Sequence, residues 1–308
     1  MVVAAAPRPA WVLGATGLLG AAVTHTLRED QRPVHTSRIP WKDPAAAVER
    51  LHAEADLASD GADVFWCAGA GVVGSSQEAL DTELRVLQGF LEGWHARGRS
   101  FFLASSAGGV YAGSAGPPFT EDTSPAPLAP YGHAKIRAER LTREFADRTG
   151  MPVLIGRISN LYGPGQDISK SQGLISQLCR AQLTRQPLSV YVSLDTMRDY
   201  LYVNDAAEMS VAALDAVAET TGVHVKILAS ERSTTIASIL GDLHRLARRR
   251  PPVVLGTSVN ARFQVRDLRL RSVAWPPTTE FVRTPMAAGM AMTLESVGAQ
   301  LRVGRLVS

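Results

Sequence analysis

Short runs of consecutive apolar residues alternate, through the first half of the chain, with longer stretches in which apolar positions recur every three or four residues. The opening run, Ala10-Trp11-Val12-Leu13, leads at once into Gly14-Ala15-Thr16-Gly17-Leu18-Leu19-Gly20. An amphipathic stretch then continues to about Arg28, with Leu18, Leu19, Ala22, Val23 and Leu27 on one side. The pattern predicts strand, glycine turn, helix. Further strands are predicted at 33–36, 63–69, 101–104 and 152–155, and helices at 77–96 and 131–148. Strands and helices alternating in this way form a parallel sheet with helices on both faces. Beyond Gln166 the pattern loosens, with longer loops, a helix near 174–183, a strand at 188–192 and a last strand–helix pair at 223–228 and 236–248. The fold class expected is therefore α/β, a doubly wound parallel sheet with a smaller mixed α/β C-terminal lobe. The sheet domain takes 1–165, with returning segments at about 199–230, and the lobe takes 166–198 and 231–308.

Composition narrows the function. At 308 residues, 45% hydrophobic and 20% charged, the chain has the profile of an ordinary globular protein with one large or two joined domains. The net charge of +3 is small, and the densest basic run, Arg248-Arg249-Arg250, sits where a helix should end. The other basic residues are scattered without interleaved aromatics, so no nucleic-acid partner is expected. Cys67 and Cys179 lie too far apart for metal-ligand spacing, and Cys67, in an apolar run, reads as a buried thiol in a reducing compartment. No apolar run reaches membrane-spanning length, and the Ala-rich start lacks a basic leader. A cytoplasmic protein with no membrane association is the expectation.

The candidate chemistry gathers at the carboxyl ends of the predicted strands, where ligands of such sheets bind. Glycines at Gly14, Gly17 and Gly20, with Thr16 and Leu18 between them, let the backbone approach a pyrophosphate, and the following helix offers its free amides. The end of the second strand carries Ser37 and Arg38 rather than a carboxylate. A carboxylate there suits the ribose of NAD(H); an Arg suits the 2′-phosphate of NADP(H), which is the cofactor this favours. Asp56-Leu57 is read as a loop touching the adenine, and Ala68, Gly69 and Ala70 as small residues beside the cofactor. Ser106 follows the fourth strand, and Tyr131 and Lys135, four apart, share one helix face.

With these residues together, the chain resembles the extended short-chain dehydrogenase/reductases, in the nucleotide-sugar branch of epimerases, dehydratases and ketoreductases with a Rossmann-type NADP-binding domain. Gly14, Gly17 and Gly20 match the family's glycine turn. Ser105-Ser106 with Val110-Tyr111 matches its SS…VYG segment with one residue extra, and Tyr131 and Lys135 its YxxxK pair. Arg157…Asn160-Leu161-Tyr162-Gly163-Pro164 and Arg198-Asp199-Tyr200 to Asp205 match two later segments. The resemblance implies that Tyr131 passes a proton to or from a sugar oxygen and that Ser106 hydrogen-bonds that oxygen. Lys135 would favour the phenolate and bind the nicotinamide ribose. It implies Asn160 and Arg198 at a substrate diphosphate, Arg262 as a further phosphate ligand, and Leu174 and Tyr191 beside the nucleotide base. A homodimer through the helices at 77–96 and 131–148 is a further implication. One departure stands out: where relatives carry an Asn that organises the site, this chain has Glu83 or Thr82.

Within that branch, the residues after the catalytic Ser separate the reactions. Dehydratases have an Asp-Glu pair there, decarboxylases a Glu, and the combined epimerase-reductases a Cys; here stand Ala107 and Gly108. Redox at a sugar carbon remains. With NADP(H) favoured, the expected activity is NADPH-dependent reduction of a nucleotide-linked 4-keto-6-deoxyhexose. The alternatives are a 4-epimerase retaining NAD and a non-catalytic NADP-binding regulator.

Overall fold

The computed structural model describes residues 7–58, 60–69, 71–72, 74–95, 98–170, 172–256 and 265–307. Strand β1 (Ala10–Leu13) passes through the glycine turn into α1 (Leu18–Glu29), followed by β2 (Val34–Thr36), α2 (Pro44–Ala58), β3 (Asp63–Trp66) and α3 (Gln77–Gly93). Then come β4 (Ser100–Ser106), a single helical turn α4 (Ala107–Val110), α5 (Pro130–Thr149), β5 (Val153–Ile158) and β6 (Asn160–Tyr162). The C-terminal part adds α6 (Leu174–Thr184), β7 (Leu188–Val190), β8 (Met197–Arg198), β9 (Tyr200–Tyr202), α7 (Val203–Val217) and β10 (Val223–Leu228). It ends with β11 (Thr234–Thr235), α8 (Ile236–Ala247), β12 (Val253–Leu255), β13 (Asp267–Leu268) and α9 (Met286–Val307).

The main sheet is six-stranded and parallel throughout, in the order β10-β5-β4-β3-β1-β2. After β2 the chain crosses to the far side of β1, so the order reverses between β1 and β3 and a crevice opens beyond their carboxyl ends. Alternation along each strand sorts the core into two layers. Trp11, Leu13, Trp66, Phe101 and Ile155 face α2, α3 and α5, whereas Val12, Phe65, Phe102 and Leu154 face α1 and α7. Full burial of each such side chain stabilises the fold by roughly 1.5–3 kcal/mol. In the first layer Trp94 stacks on Phe90 at 5.0 Å and on Phe145 of α5 at 5.2 Å. Small sheets (β11-β8-β13, β12-β7 and β6-β9) and helices α6, α8 and α9 complete the C-terminal side.

The α/β class and the smaller mixed C-terminal sheets are as the pattern predicts. Four helices are not predicted, α2, α4, α7 and α9, nor are the short strands β6, β8, β9, β11, β12 and β13. In α2 the buried stripe is Ala47, Leu51 and Ala55, whose alanines give little contrast with the Ala-rich surroundings. The predicted helix at 77–96 ends at Gly93, because Trp94 leaves helical geometry (ψ 122°) to stack in the aromatic layer. The strand predicted at 63–69 ends at Trp66, and Gly69 turns away at φ 142°. No helix among the described residues is long and apolar enough to cross a membrane.

Candidate active site

The crevice floor is built from glycine. Gly14 holds φ 83°, and a Cβ there would stand 2.7 Å from the Ala68 amide nitrogen, so β1 and β3 meet at van der Waals limit through their backbones. A Cβ on Gly20 would fall 2.2 Å from the Gly14 carbonyl oxygen, so the first turn of α1 can pack on the turn only without a side chain. Gly17 is the N-cap and no side chain caps α1. The first amides of α1 are therefore left for an anion, with the helix dipole behind them. Thr16 is exposed and Leu18 half-buried beside them.

Beyond β2, the Ser37 hydroxyl accepts from Trp11 Nε1 at 2.9 Å and donates to Glu54 Oε2 at 3.1 Å. Its one proton is thereby directed to Glu54. Glu54 comes from α2 and also meets His35 Nε2 at 2.6 Å and the guanidinium of Arg50. The hydrogen bond from His35, helped by Ser37 and Arg50 and opposed by burial, holds the Glu54 carboxyl below its ordinary range. Arg38 is exposed at the end of β2. Asp56 and Leu57 are not a loop: they lie in the last turn of α2. Leu57, 83% exposed, borders a groove with Pro9, Ala10, Pro33 and Val34 at the amino end of the sheet. That is the end opposite Gly14, because α2 runs back antiparallel to β2. Ala70 lies outside the described residues.

The reactive groups meet between β4 and α5. Ser106, last residue of β4, caps α4 by accepting from Gly109 N at 3.2 Å, which leaves its own proton to be donated. Gly109 in turn packs on the Tyr131 ring: a Cβ there would stand 3.0 Å from Tyr131 Cε1. Lys135, one turn along α5, donates to the Ala104 carbonyl at 3.2 Å and sits 5.7 Å from the centroid of the Tyr131 ring. Ala68, Ala104, Tyr131 and Lys135 line a cavity of about 40 Å³ that Glu83 of α3 also enters. A Cβ on Gly69 would lie 3.4 Å from Glu83 Oε2 and 3.7 Å from Lys135 Nζ. Of the two candidates for the departed Asn position, Glu83 faces the site, while Thr82 accepts from Arg85 on the surface.

A buried network that sequence reasoning missed anchors this cluster. Glu139, one further turn along α5 from Lys135, accepts from Ser105 Oγ at 2.6 Å, Arg157 Nε at 3.0 Å and Arg157 Nη2 at 2.7 Å. Arg157 Nη1 donates to the Tyr111 hydroxyl at 2.7 Å, which donates on to the Thr120 carbonyl at 2.9 Å. Burial works against the Arg157 charge, but Glu139 outweighs it and holds the guanidinium more firmly protonated than usual. Burial also pushes the Tyr111 phenol up. The available signal was a Glu on a helix face otherwise holding Ala134, Ala138 and Phe145.

On the C-terminal side, the pairing of β6 with β9 sets Asn160 opposite Tyr200, two residues past Arg198 of β8. Asn160 Nδ2 donates to the Asp199 carbonyl at 2.8 Å. Arg198 is 7% exposed between β11 and β13, with Nη1 on the Met197 carbonyl, and burial pulls its pKa down. The guanidinium is thus largely buried within the small sheet of β11, β8 and β13. Neighbouring Asp199 accepts from the amide and hydroxyl of Ser230, both at 2.8 Å, and burial raises its pKa. Leu174 opens α6 after Gly173, and Tyr191, 49% exposed, follows β7. Arg262 lies outside the described residues.

A parallel sheet whose order reverses at an uncapped glycine turn, with Ser, Tyr and Lys at the adjoining strand end, defines a Rossmann-type fold with a candidate dinucleotide site. The model of the NAD dependent epimerase/dehydratase family matches residues 10–227, and the chain belongs to that family. An uncharacterized UDP-glucose epimerase of Bacillus subtilis is 28% identical over 162 residues, 52% of this chain and 50% of its own. The dTDP-4-dehydro-6-deoxyglucose reductase of Escherichia coli is 29% identical over 126 residues, 41% of this chain and 40% of its own. The chain thus matches these curated relatives over half their length or less. The structure of Thermotoga maritima UDP-glucose 4-epimerase with UDP-glucose superposes with a TM-score of 0.80. It is 21% identical and covers 96% of this chain and all of its own, a likeness of fold.

Proposed function

We propose that this chain is a nucleotide-sugar 4-epimerase that keeps one NAD through its cycle. The observation that carries the redox part is Tyr131 beside Lys135 and the Ser106–Gly109 turn at the mouth of the dinucleotide crevice, followed by Ala107 and Gly108. Neither of those two can protonate a leaving hydroxyl or abstract a neighbouring proton. A bound nicotinamide supplies a hydride acceptor and donor at the sugar carbon. The α1 amides would hold its pyrophosphate, and Lys135 its ribose. Tyr131, as phenolate beside the Lys135 cation, takes the proton of the sugar hydroxyl; Ser106 donates to the same oxygen while it carries ketone character. Once the sugar has turned over, hydride would return to the opposite face of the same carbon and Tyr131 gives its proton back to the oxygen. Space for that turn is consistent with Gly108, whose Cβ position has nothing within 4 Å.

Retention of NAD is supported by the family to which the chain belongs and by the commitment of the Ser37 proton to Glu54. A second reading, an NADPH-dependent 4-ketoreductase, is favoured by one observation: Arg38 stands exposed at the end of β2, where a 2′-phosphate would lie. The likeness to the Escherichia coli reductase supports it as well. The two separate cleanly in one experiment. Cofactor that copurifies is identified on a denatured aliquot; the undenatured protein is then given UDP-glucose or UDP-galactose with NAD, and in a parallel arm a dTDP-4-keto-6-deoxyhexose with NADH or NADPH. The expected result is copurified NAD and interconversion of 4-epimers with no net change in nicotinamide absorbance. Stoichiometric consumption of NADPH with the keto sugar, and no epimer exchange, replaces the epimerase with the reductase.

A further inference from the structure

The turn that follows Ser106 is intrinsically weak. Helix α4 is the single turn Ala107–Val110, and both of its middle residues are glycine. Nucleating one turn costs more dihedral freedom than its hydrogen bonds return, and glycine adds to the loss. The structure closes this turn from both ends. At its start Ser106 Oγ accepts from Gly109 N at 3.2 Å. At its end the Tyr111 amide returns to the Ala107 carbonyl at 2.9 Å. The Tyr111 side chain is wholly buried, stacks on Phe119 at 5.6 Å, and accepts through its hydroxyl from Arg157 Nη1 at 2.7 Å. Toward α5 there is no slack, since a Cβ on Gly132 would stand 2.2 Å from the Gly109 carbonyl oxygen. We infer that Arg157 and Tyr111 are positioning residues, a latch that holds the turn after β4 closed and thereby fixes the direction of the Ser106 hydroxyl.

The inference deepens the reading of Ser106 as donor to a sugar oxygen and rests on it. While the turn is closed, the Gly109 amide occupies one lone pair of Ser106 Oγ, so the hydroxyl is restrained and its proton is kept for a partner outside the turn. Opening the turn removes that restraint and draws Gly109 away from the Tyr131 ring. Packing alone would be served by phenylalanine, as at Phe119; a hydroxyl at a wholly buried site is costly unless it is bonded. Arg157 suits the latch because it is itself immobilised. It lies on β5 opposite Ser105 of β4, and its Nε and Nη2 are taken by Glu139 of α5, leaving Nη1 for Tyr111. A planar guanidinium serves both partners at once, which a single ammonium cannot. The Tyr111 proton goes on to the Thr120 carbonyl at 2.9 Å. Thr120 is held in turn through Phe119, whose backbone bonds the Arg269 carbonyl at 2.8 Å and the Arg271 amide at 2.9 Å.

Tyr111→Phe keeps the ring and removes the hydroxyl; Arg157→Lys keeps a charge for Glu139 and gives up Tyr111. The first measurement is amide hydrogen exchange, read by mass spectrometry on the full chain without ligand. Peptides spanning 105–112 are expected to exchange about tenfold faster in both variants, the scale of one buried hydrogen bond, while peptides of β1, β3 and α6 keep the parent rate. The second is turnover of whichever nucleotide sugar the parent accepts. Tyr111→Phe is expected to lower kcat about tenfold with KM and nicotinamide affinity unchanged. In a Ser106→Ala background it is expected to cost nothing further, because no hydroxyl remains to be aimed. Parent-like exchange at 105–112 in whichever variant folds overturns the latch. A tenfold loss that persists in the Ser106→Ala background overturns its action through Ser106. A parent that turns over no nucleotide sugar sinks the functional reading, and the exchange measurement still decides the latch.

Discussion

Glu139→Gln keeps the size of a side chain in the α5 network and removes its charge. In the parent, the Glu139 and Arg157 side chains are only 4% and 6% exposed, and Glu139 accepts three hydrogen bonds from Ser105 and Arg157. The variant leaves a guanidinium buried with no counter-charge, while Tyr111 and one amide oxygen still accept from it. Breaking a buried ion pair from one side costs about 3–5 kcal/mol, and the surviving acceptors place the expectation at about 3 kcal/mol. The double variant Glu139→Leu with Arg157→Met removes both charges, orphans only the Ser105 hydroxyl, and should lose about 1–2 kcal/mol. Urea unfolding read by far-ultraviolet circular dichroism and by tryptophan fluorescence measures both; Trp94, stacked on Phe145 of α5, reports the helix directly. In thermal melts each kcal/mol corresponds to roughly 2–4 °C for a domain of this order. A single variant within about 1 kcal/mol of the parent, or a double variant less stable than the single, refutes the electrostatic argument.

Tyr131→Phe should still bind nicotinamide cofactor and lose about 10²–10⁴-fold in turnover, the scale of a positioned proton carrier; full turnover would remove Tyr131 from the mechanism, whereas cofactor binding with no turnover in the parent would favour a binding protein. For Glu54 the sign follows from its folded-state shift. Its pKa lies below the ordinary 4.5, so its stabilisation is fully present above about that pH and is lost as pH falls through the lower folded value. The stability difference between the parent and Glu54→Gln, measured by urea unfolding across the acid range, should therefore shrink toward low pH. A constant difference would show that His35 and Ser37 do not act through the carboxylate charge.

What could be read from the chain was whatever is local in sequence. The glycine turn, its strand and its helix are contiguous, and Tyr131 and Lys135 are one turn apart, so the periodicity alone places them on a common face. Ser37 marks the limit. Its residue type suggests a donor, but its partner Glu54 arrives on α2, a helix hidden by its alanines, and only the folded chain shows the proton committed. The burial of Arg198 was hidden for a similar reason. The strands that bury it, β11 and β13, begin at Thr234 and Asp267, and no local pattern links these to position 198. Glu139 was overlooked because a lone Glu in a helix is ordinarily solvated; its partner Arg157 is on β5, and Ser105 on the adjacent β4.

A site with one proton carrier limits the reactions open to it more strongly than any single contact. Elimination and decarboxylation each ask for a further acid or base beyond the Ser, and Ala107 and Gly108 supply none. On the proposed epimerase reading Tyr131 takes a proton and gives the same proton back while hydride leaves and returns at one carbon. That cycle closes on itself when the cofactor stays bound, and the proton balance at Tyr131 has to serve both halves, base in the first and acid in the second. A phenol stabilised too far as phenolate by Lys135 would perform the first half well and the second poorly.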